Sequence, residues 1–233
     1  MSVSLAQPTV LLVHGAWHGS WCWQDLQTEL AGRGWETRTV DLPTSVQEES
    51  DELLPSIFDD ARVIREAIDG IDGPVAVVAH SYAGIPVTQA TAGASNVVHV
   101  MYLAAYMLET GESMYTAHDL AQPDPKSLTG IAPPTAEPEN NLYADVPEPR
   151  KSEALKRLVH QSHRSWGDQV TQAGWHAIPS SYVICDKDQG FPIPIQEKLA
   201  VRAGTTYHLD SSHSPFLSMP DKLAELLTSA IAE

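Results

Sequence analysis

Short apolar runs alternate along this chain with segments whose apolar residues recur at steps of three and four. Thr9–Val13 is rich in branched and apolar side chains and ends at His14-Gly15, the pattern of a strand buried on both faces. Trp23, Leu26, Gln27 and Leu30 then fall at helical spacing, with Gly32 and Gly34 as a stop. Residues 35–40 predict a second strand, running into Asp41-Leu42-Pro43. Ile57, Ala61, Ile64, Ile68 and Ile71 form a helix stripe closed by Gly70 and Gly73. Residues 75–79, 97–105, 181–185 and 205–209 predict four more strands, and Met219, Leu223, Leu226, Leu227 and Ala230 share one face of a closing helix.

Strand and helix in this rhythm require crossover connections, which predicts an α/β fold: a mostly parallel sheet of about six strands with helices on both faces. Residues 106–178 break the rhythm. They show no strand run, carry seven prolines between Pro123 and Pro149, and predict a helix from Arg150 to about Ser162. An insertion of that length reads as a helical, Pro-rich cap over the catalytic edge, and Tyr106, Met107, Tyr143, Leu155, Leu158, Trp166 and Trp175 supply apolar surface for it to cover. The expected organisation is a single domain, with residues 1–105 and 179–233 as core and 106–178 as cap.

Composition narrows the partners. The 233 residues carry 14 Lys+Arg against 30 Asp+Glu, a formal net charge of −16, with no basic stripe to offset it. Such a surface repels phosphate backbones and anionic lipid, so nucleic-acid and polybasic membrane roles are set aside. Cys22 and Cys185 are too few for a disulfide framework and read as reduced thiols. Residues 2–8 are polar and mixed, and the first apolar run is too short for a signal core or a membrane span. The expected location is cytoplasmic.

Three stretches carry chemistry. Ala79-His80-Ser81-Tyr82-Ala83-Gly84 leaves a buried strand and begins a helix, with small residues two before and two after the serine. That is the pattern of a nucleophile elbow, whose tight turn lifts the serine hydroxyl clear of the sheet. Alanines stand where glycine is usual, and Pro86 just inside the helix predicts a loose or bent first turn. His14-Gly15-Ala16-Trp17-His18-Gly19 ends the first strand and can aim a backbone N–H at a developing oxyanion; Ala16 and Tyr82 are the expected donors. His213 follows the sixth strand, where a loop can bring imidazole to the serine as general base. The acid should follow the fifth strand, and Asp188 is preferred to Asp186, with Glu109 and Asp210 behind. No phosphate-binding glycine loop is present, and His14 and His18 flank a glycine turn rather than a helix face, so neither a nucleotide nor a metal is expected.

Over nearly its whole length the chain resembles the small α/β-hydrolase esterases, being similar to plant methyl-ester hydrolases and bacterial carboxylesterases that cleave pyrethroid-type esters. The resemblance lies in residues 14–21, the elbow at Ser81, Tyr102-Leu103-Ala104-Ala105, residues 182–185 running on to Asp188, and His213-Ser214-Pro215-Phe216 with the following Ser218-Met219-Pro220. It implies the acid at Asp188 and the oxyanion donors at Ala16 and Tyr82. Dehalogenases and epoxide hydrolases of similar architecture use an aspartate where this chain has Ser81. Hydroxynitrile lyases carry a threonine and a lysine where it has Gly15 and Ser214.

The expectation is therefore a cofactor-free serine hydrolase acting on a small neutral carboxylic ester through Ser81, His213 and Asp188 and an acyl-enzyme. The alternatives are a ligand-binding protein on the same scaffold, or lyase-like activity. Gly15, Trp17, Tyr106, Trp166 and Trp175 are candidates to line the pocket between sheet and cap. The partner expected is a small-molecule ester, with a homodimer left open. The −16 charge adds that the substrate is neutral or cationic, since anions would approach against the field.

Overall fold

The apolar runs become strands of one parallel sheet. The computed structural model describes residues 6–47 and 54–232; residues 2–5 of the polar opening and 48–53 of the expected core unit lie outside the described residues. The strands are β1 (Thr9–Val13), β2 (Thr37–Val40), β3 (Ser45–Val46), β4 (Val75–His80), β5 (Val97–Leu103), β6 (Ile131–Ala132), β7 (His160–Ser162), β8 (Ser180–Cys185) and β9 (Thr205–Leu209). Six of them form a sheet in the order β2-β1-β4-β5-β8-β9, every pairing parallel. Every residue of β1, β4 and β8 is buried, whereas the edge strands β2 and β9 are partly exposed. This is why the interior strands read as unbroken apolar runs and the edges as mixed sequence.

The helices are α1 (Gln24–Gly32), α2 (Ile57–Asp69), α3 (Gly84–Thr91), α4 (Met114–Ala117), α5 (Pro138–Asn141), α6 (Arg150–Leu155), α7 (Arg164–Gly167), α8 (Ile193–Ala200), α9 (Pro215–Ser218) and α10 (Pro220–Ala232). They cover both faces of the sheet, with α1 packed on α10 and α2 on α3. A capping box between Ser56 and Asp59 starts α2, which buries Ile57, Ala61, Ile64 and Ile68. None of the described helices is long and apolar enough to cross a membrane.

The insertion differs from its reading in two places. It contains strand after all: β6 and β7 join β3 in a small antiparallel sheet of order β3-β7-β6. The predicted helix over 150–162 ends at Leu155. Beyond it, Val159 N–H donates to Trp17 O at 2.9 Å and Ser162 N–H to Thr44 O at 2.7 Å, drawing the backbone out into β7. These are long-range bonds to the loops after β1 and β2, so no local periodicity announces them.

Candidate active site

Every sequence-derived site residue but the pocket aromatics lies just beyond the carboxyl end of a sheet strand, the edge where open α/β sheets bind ligands. Ser81 directly follows β4 and adopts φ +56°, a left-handed conformation that non-glycine residues rarely hold. A 3₁₀ turn over Ser81–Ala83 follows before α3 begins at Gly84, so Pro86 sits in the first helical turn, where its missing N–H has no acceptor to leave. Gly84 is required there: a Cβ would approach Tyr106 N to 2.7 Å. Tyr106 N–H in turn donates to Ser81 O at 3.1 Å, pinning the elbow to the chain that leaves β5.

His213, in the loop after β9, places Nε2 3.0 Å from Ser81 Oγ and Nδ1 2.7 Å from Asp188 Oδ2. Asp188 is buried and fully coordinated. Its Oδ1 accepts the Gly190 and Phe191 amides at 2.9 and 2.8 Å, and its Oδ2 also accepts Gln196 Nε2 at 2.9 Å. The competing acids face other partners: Asp186 meets His208 Nδ1 at 2.8 Å, Glu109 meets His176, and Asp210 meets Lys187. Asp186 and Asp188 follow the same strand, yet only the second reaches His213.

Three further histidines are buried around this chain of bonds, each with its tautomer set by its partners. His14 Nε2 accepts the Leu42 amide at 3.1 Å, leaving Nδ1–H to donate to Gly15 O. His18 Nδ1–H donates to Ala16 O at 2.8 Å, and its Nε2 accepts the Tyr143 hydroxyl at 2.7 Å. His80 Nε2–H donates to the backbone carbonyl of His213 at 2.9 Å, with the two rings 4.6 Å apart. Burial holds all three below the usual imidazole range, His18 down to about 3, so they stay neutral and act as fixed hydrogen-bonding struts. Among the described residues no three His, Cys, Asp or Glu side chains gather into a metal-binding group. Cys22 and Cys185 are both free and buried.

A cavity of about 130 Å³ opens onto Ser81 and His213, and Ala16 and Tyr82 belong to its wall. Trp17, Tyr106 and Trp166 line it as the sequence suggested, joined by Phe191, Met114 and Leu142, and among the described residues no Lys, Arg, Asp or Glu lines it. Gly15 and Trp175 do not. A Cβ at Gly15 would strike His80 Nδ1 and Ser81 Cβ at 2.9 Å, so this glycine gives room behind the elbow rather than a wall to the pocket. Trp175 donates its indole N–H to Leu108 O and stacks on His176, away from the cavity. Larger surface depressions, near Trp21 and Arg157 and near Lys156 and His160, do not include Ser81 or His213.

Sequence reasoning missed the polar groups behind the site. The Tyr143 bond to His18 has no local signature, since the two are 125 residues apart. Asp60 did leave one. It falls three residues after Ile57 and four before Ile64, on the apolar stripe of α2, and there it is fully buried.

A sequence profile of the alpha/beta hydrolase family matches residues 10–226. Methylesterase 4 of Arabidopsis thaliana is 32% identical over 254 residues, covering 93% of this chain and 94% of its own. Among solved structures, a methylesterase from Arabidopsis superposes with a TM-score of 0.77 at 25% identity, covering 97% of this chain and 99% of that one. A pyrethroid hydrolase from Sphingobium faniae superposes with a TM-score of 0.79 at 20% identity over 97% and 98%, a likeness of fold.

Proposed function

We propose that this chain, which belongs to the alpha/beta hydrolase family and is a carboxylic-ester hydrolase, cleaves small neutral esters with Ser81 as nucleophile, His213 as general base and acid, and Asp188 as the group that orients the imidazole. The observation that carries the proposal is the continuous run Ser81 Oγ to His213 Nε2 to Asp188 at 3.0 and 2.7 Å, opening onto a cavity that no Lys, Arg, Asp or Glu among the described residues lines. Ser81 Oγ attacks the ester carbonyl carbon as its proton passes to Nε2, and the imidazolium is stabilised by the buried carboxylate. The carbonyl oxygen becomes an oxyanion that the N–H groups of Ala16 and Tyr82 hold. Collapse expels the alkoxide, which takes the proton from His213. Water, deprotonated by the same nitrogen, then releases the acid from the acyl-enzyme.

The cavity volume limits what fits. Ligand pockets for drug-sized molecules run to roughly 300 Å³ and more, so about 130 Å³ suits one short acyl or alkyl arm, with the other part of the ester towards solvent. An ionised group would enter it without a counter-charge, which favours a neutral ester. Curated relatives named methylesterase fit a small alcohol on that arm. Two buried free thiols suit a reducing, cytoplasmic setting. The test is turnover of short p-nitrophenyl and methyl esters by the parent and by Ser81→Ala. The variant should lose roughly 10⁴- to 10⁶-fold in kcat. Equal turnover would overturn the reading, and a parent that binds esters without cleaving them would make it a binding protein instead.

A further inference from the structure

Behind the elbow lies a buried carboxylate that the triad does not use. Asp60, in the first turn of α2, is fully buried, and its Oδ2 accepts the Tyr82 hydroxyl at 2.7 Å and Thr44 Oγ1 at 2.6 Å. Its Oδ1 accepts the Thr44 amide at 3.0 Å. All three partners donate, so the arrangement is satisfied by the carboxylate in its ionised form, which burial confines to pH values above about 7. Tyr82 from the elbow and Asp59 from its own helix act on it electrostatically, Arg62 and Arg164 bear on Asp59 beside it, and among the described residues no Lys, Arg or His forms an ion pair with Asp60 itself. A buried carboxylate without a cationic partner is unfavourable for stability, and an apolar side chain would serve the α2 stripe better.

The position of Tyr82 accounts for it. The Ser81–Tyr82 peptide is planar, with the Ser81 carbonyl at one end and the Tyr82 N–H at the other. Tyr106 N–H holds the carbonyl end at 3.1 Å. The Tyr82 side chain, 1% exposed, leaves the other end and terminates on Asp60. We propose that Asp60 is a positioning residue for the reaction: by anchoring the Tyr82 hydroxyl it holds the Ser81–Tyr82 peptide so that the Tyr82 N–H points at the oxyanion. The inference rests on the esterase reading above, in which that N–H is an oxyanion donor. It makes Asp60 a group whose burial serves transition-state geometry rather than stability.

The test combines Asp60→Ala, Tyr82→Phe, the double variant and Asp60→Asn with the Ser81→Ala control, on one short ester. Asp60→Ala and Tyr82→Phe should each lower kcat by about 10- to 100-fold, the range that misplacing a donor brings, with KM within about twofold. The double variant should be no worse than the weaker of the two, because the bond that positions the peptide is the one they share. Asp60→Asn keeps an oxygen for the Tyr82 hydroxyl and should recover part of the loss. A trifluoromethyl ketone, whose Ser81 hemiketal carries the oxyanion, should weaken across the variants in the same ratio as kcat/KM falls. A general loss of folding would not produce that parallel. If Ser81→Ala is inactive but Asp60→Ala and Tyr82→Phe keep the parent kcat and ketone affinity, the positioning role is wrong and the esterase reading stands. If Ser81→Ala is fully active, the reading fails and the positioning role with it.

Discussion

The parallel sheet and the insertion at residues 106–178 build opposite walls of one cavity by different means. The interior strands run five to seven residues, are buried along almost their whole length, and end in turns that deliver Ser81, Asp188 and His213. The insertion has strands of two and three residues and helices of four to six, each too short to persist alone. It is held instead by bonds to core loops: Val159 to Trp17, Ser162 to Thr44, and Tyr143 to His18. The proposed reacting groups thus sit at the ends of buried sheet strands, while much of the pocket wall (Met114, Leu142, Trp166) comes from the insertion.

That division makes graded predictions. The largest effect belongs to the sheet edge: Asp188→Asn should lower kcat by about 10⁴-fold, while Asp186→Asn, two residues away on an exposed pair with His208, should stay near the parent. The reverse ranking in steady-state assays would move the acid to the wrong side of the turn.

Next comes a stability effect at Asp60. Burial lifts its carboxyl from 3.8 to about 7, so between those values the folded chain holds a proton that the unfolded chain has released. The contribution to stability is complete below about pH 4 and is lost as pH rises through 7. Asp60→Asn has no such proton, and relative to the parent it should gain roughly 2 to 3 kcal/mol between pH 5 and pH 8, read by urea unfolding at each pH. A difference that does not change with pH would mean that the carboxylate is not desolvated as its burial implies.

The smallest effect should be in the insertion. Tyr143→Phe removes the hydroxyl that His18 Nε2 accepts and should lower kcat/KM by about fivefold, the loss of roughly 1 kcal/mol from one neutral hydrogen bond. A loss as large as that of Asp188→Asn would mean that the insertion carries the chemistry as well as the wall.

Legibility in the sequence follows the same division. The six sheet strands, the α2 stripe and the elbow were legible because each is written in a local run: β-branched residues in sequence, apolar residues at helical spacing, small residues around Ser81. Strands β6 and β7 were not, since their residues are drawn into extended form by partners far along the chain. Trp175 was placed in the pocket on its aromatic character alone, a property that core and pocket share, and its indole instead caps Leu108 O.

By itself, the order of residues determined the fold class and singled out Ser81 and His213 as candidates, because hydrophobic periodicity and turn chemistry act over a few neighbours. It left Asp186 and Asp188 as rivals, because both follow the same strand and either could have turned towards the site. Only the tertiary structure tells them apart, setting His208 against one and His213, two backbone amides and Gln196 around the other. It also decided what Asp60 is. The sequence shows an acid misplaced on an apolar stripe; the fold brings Tyr82 and Thr44 to it across 22 and 16 residues. Hydrogen-bond partners are chosen by proximity in space, and proximity at that separation exists only once the sheet has assembled.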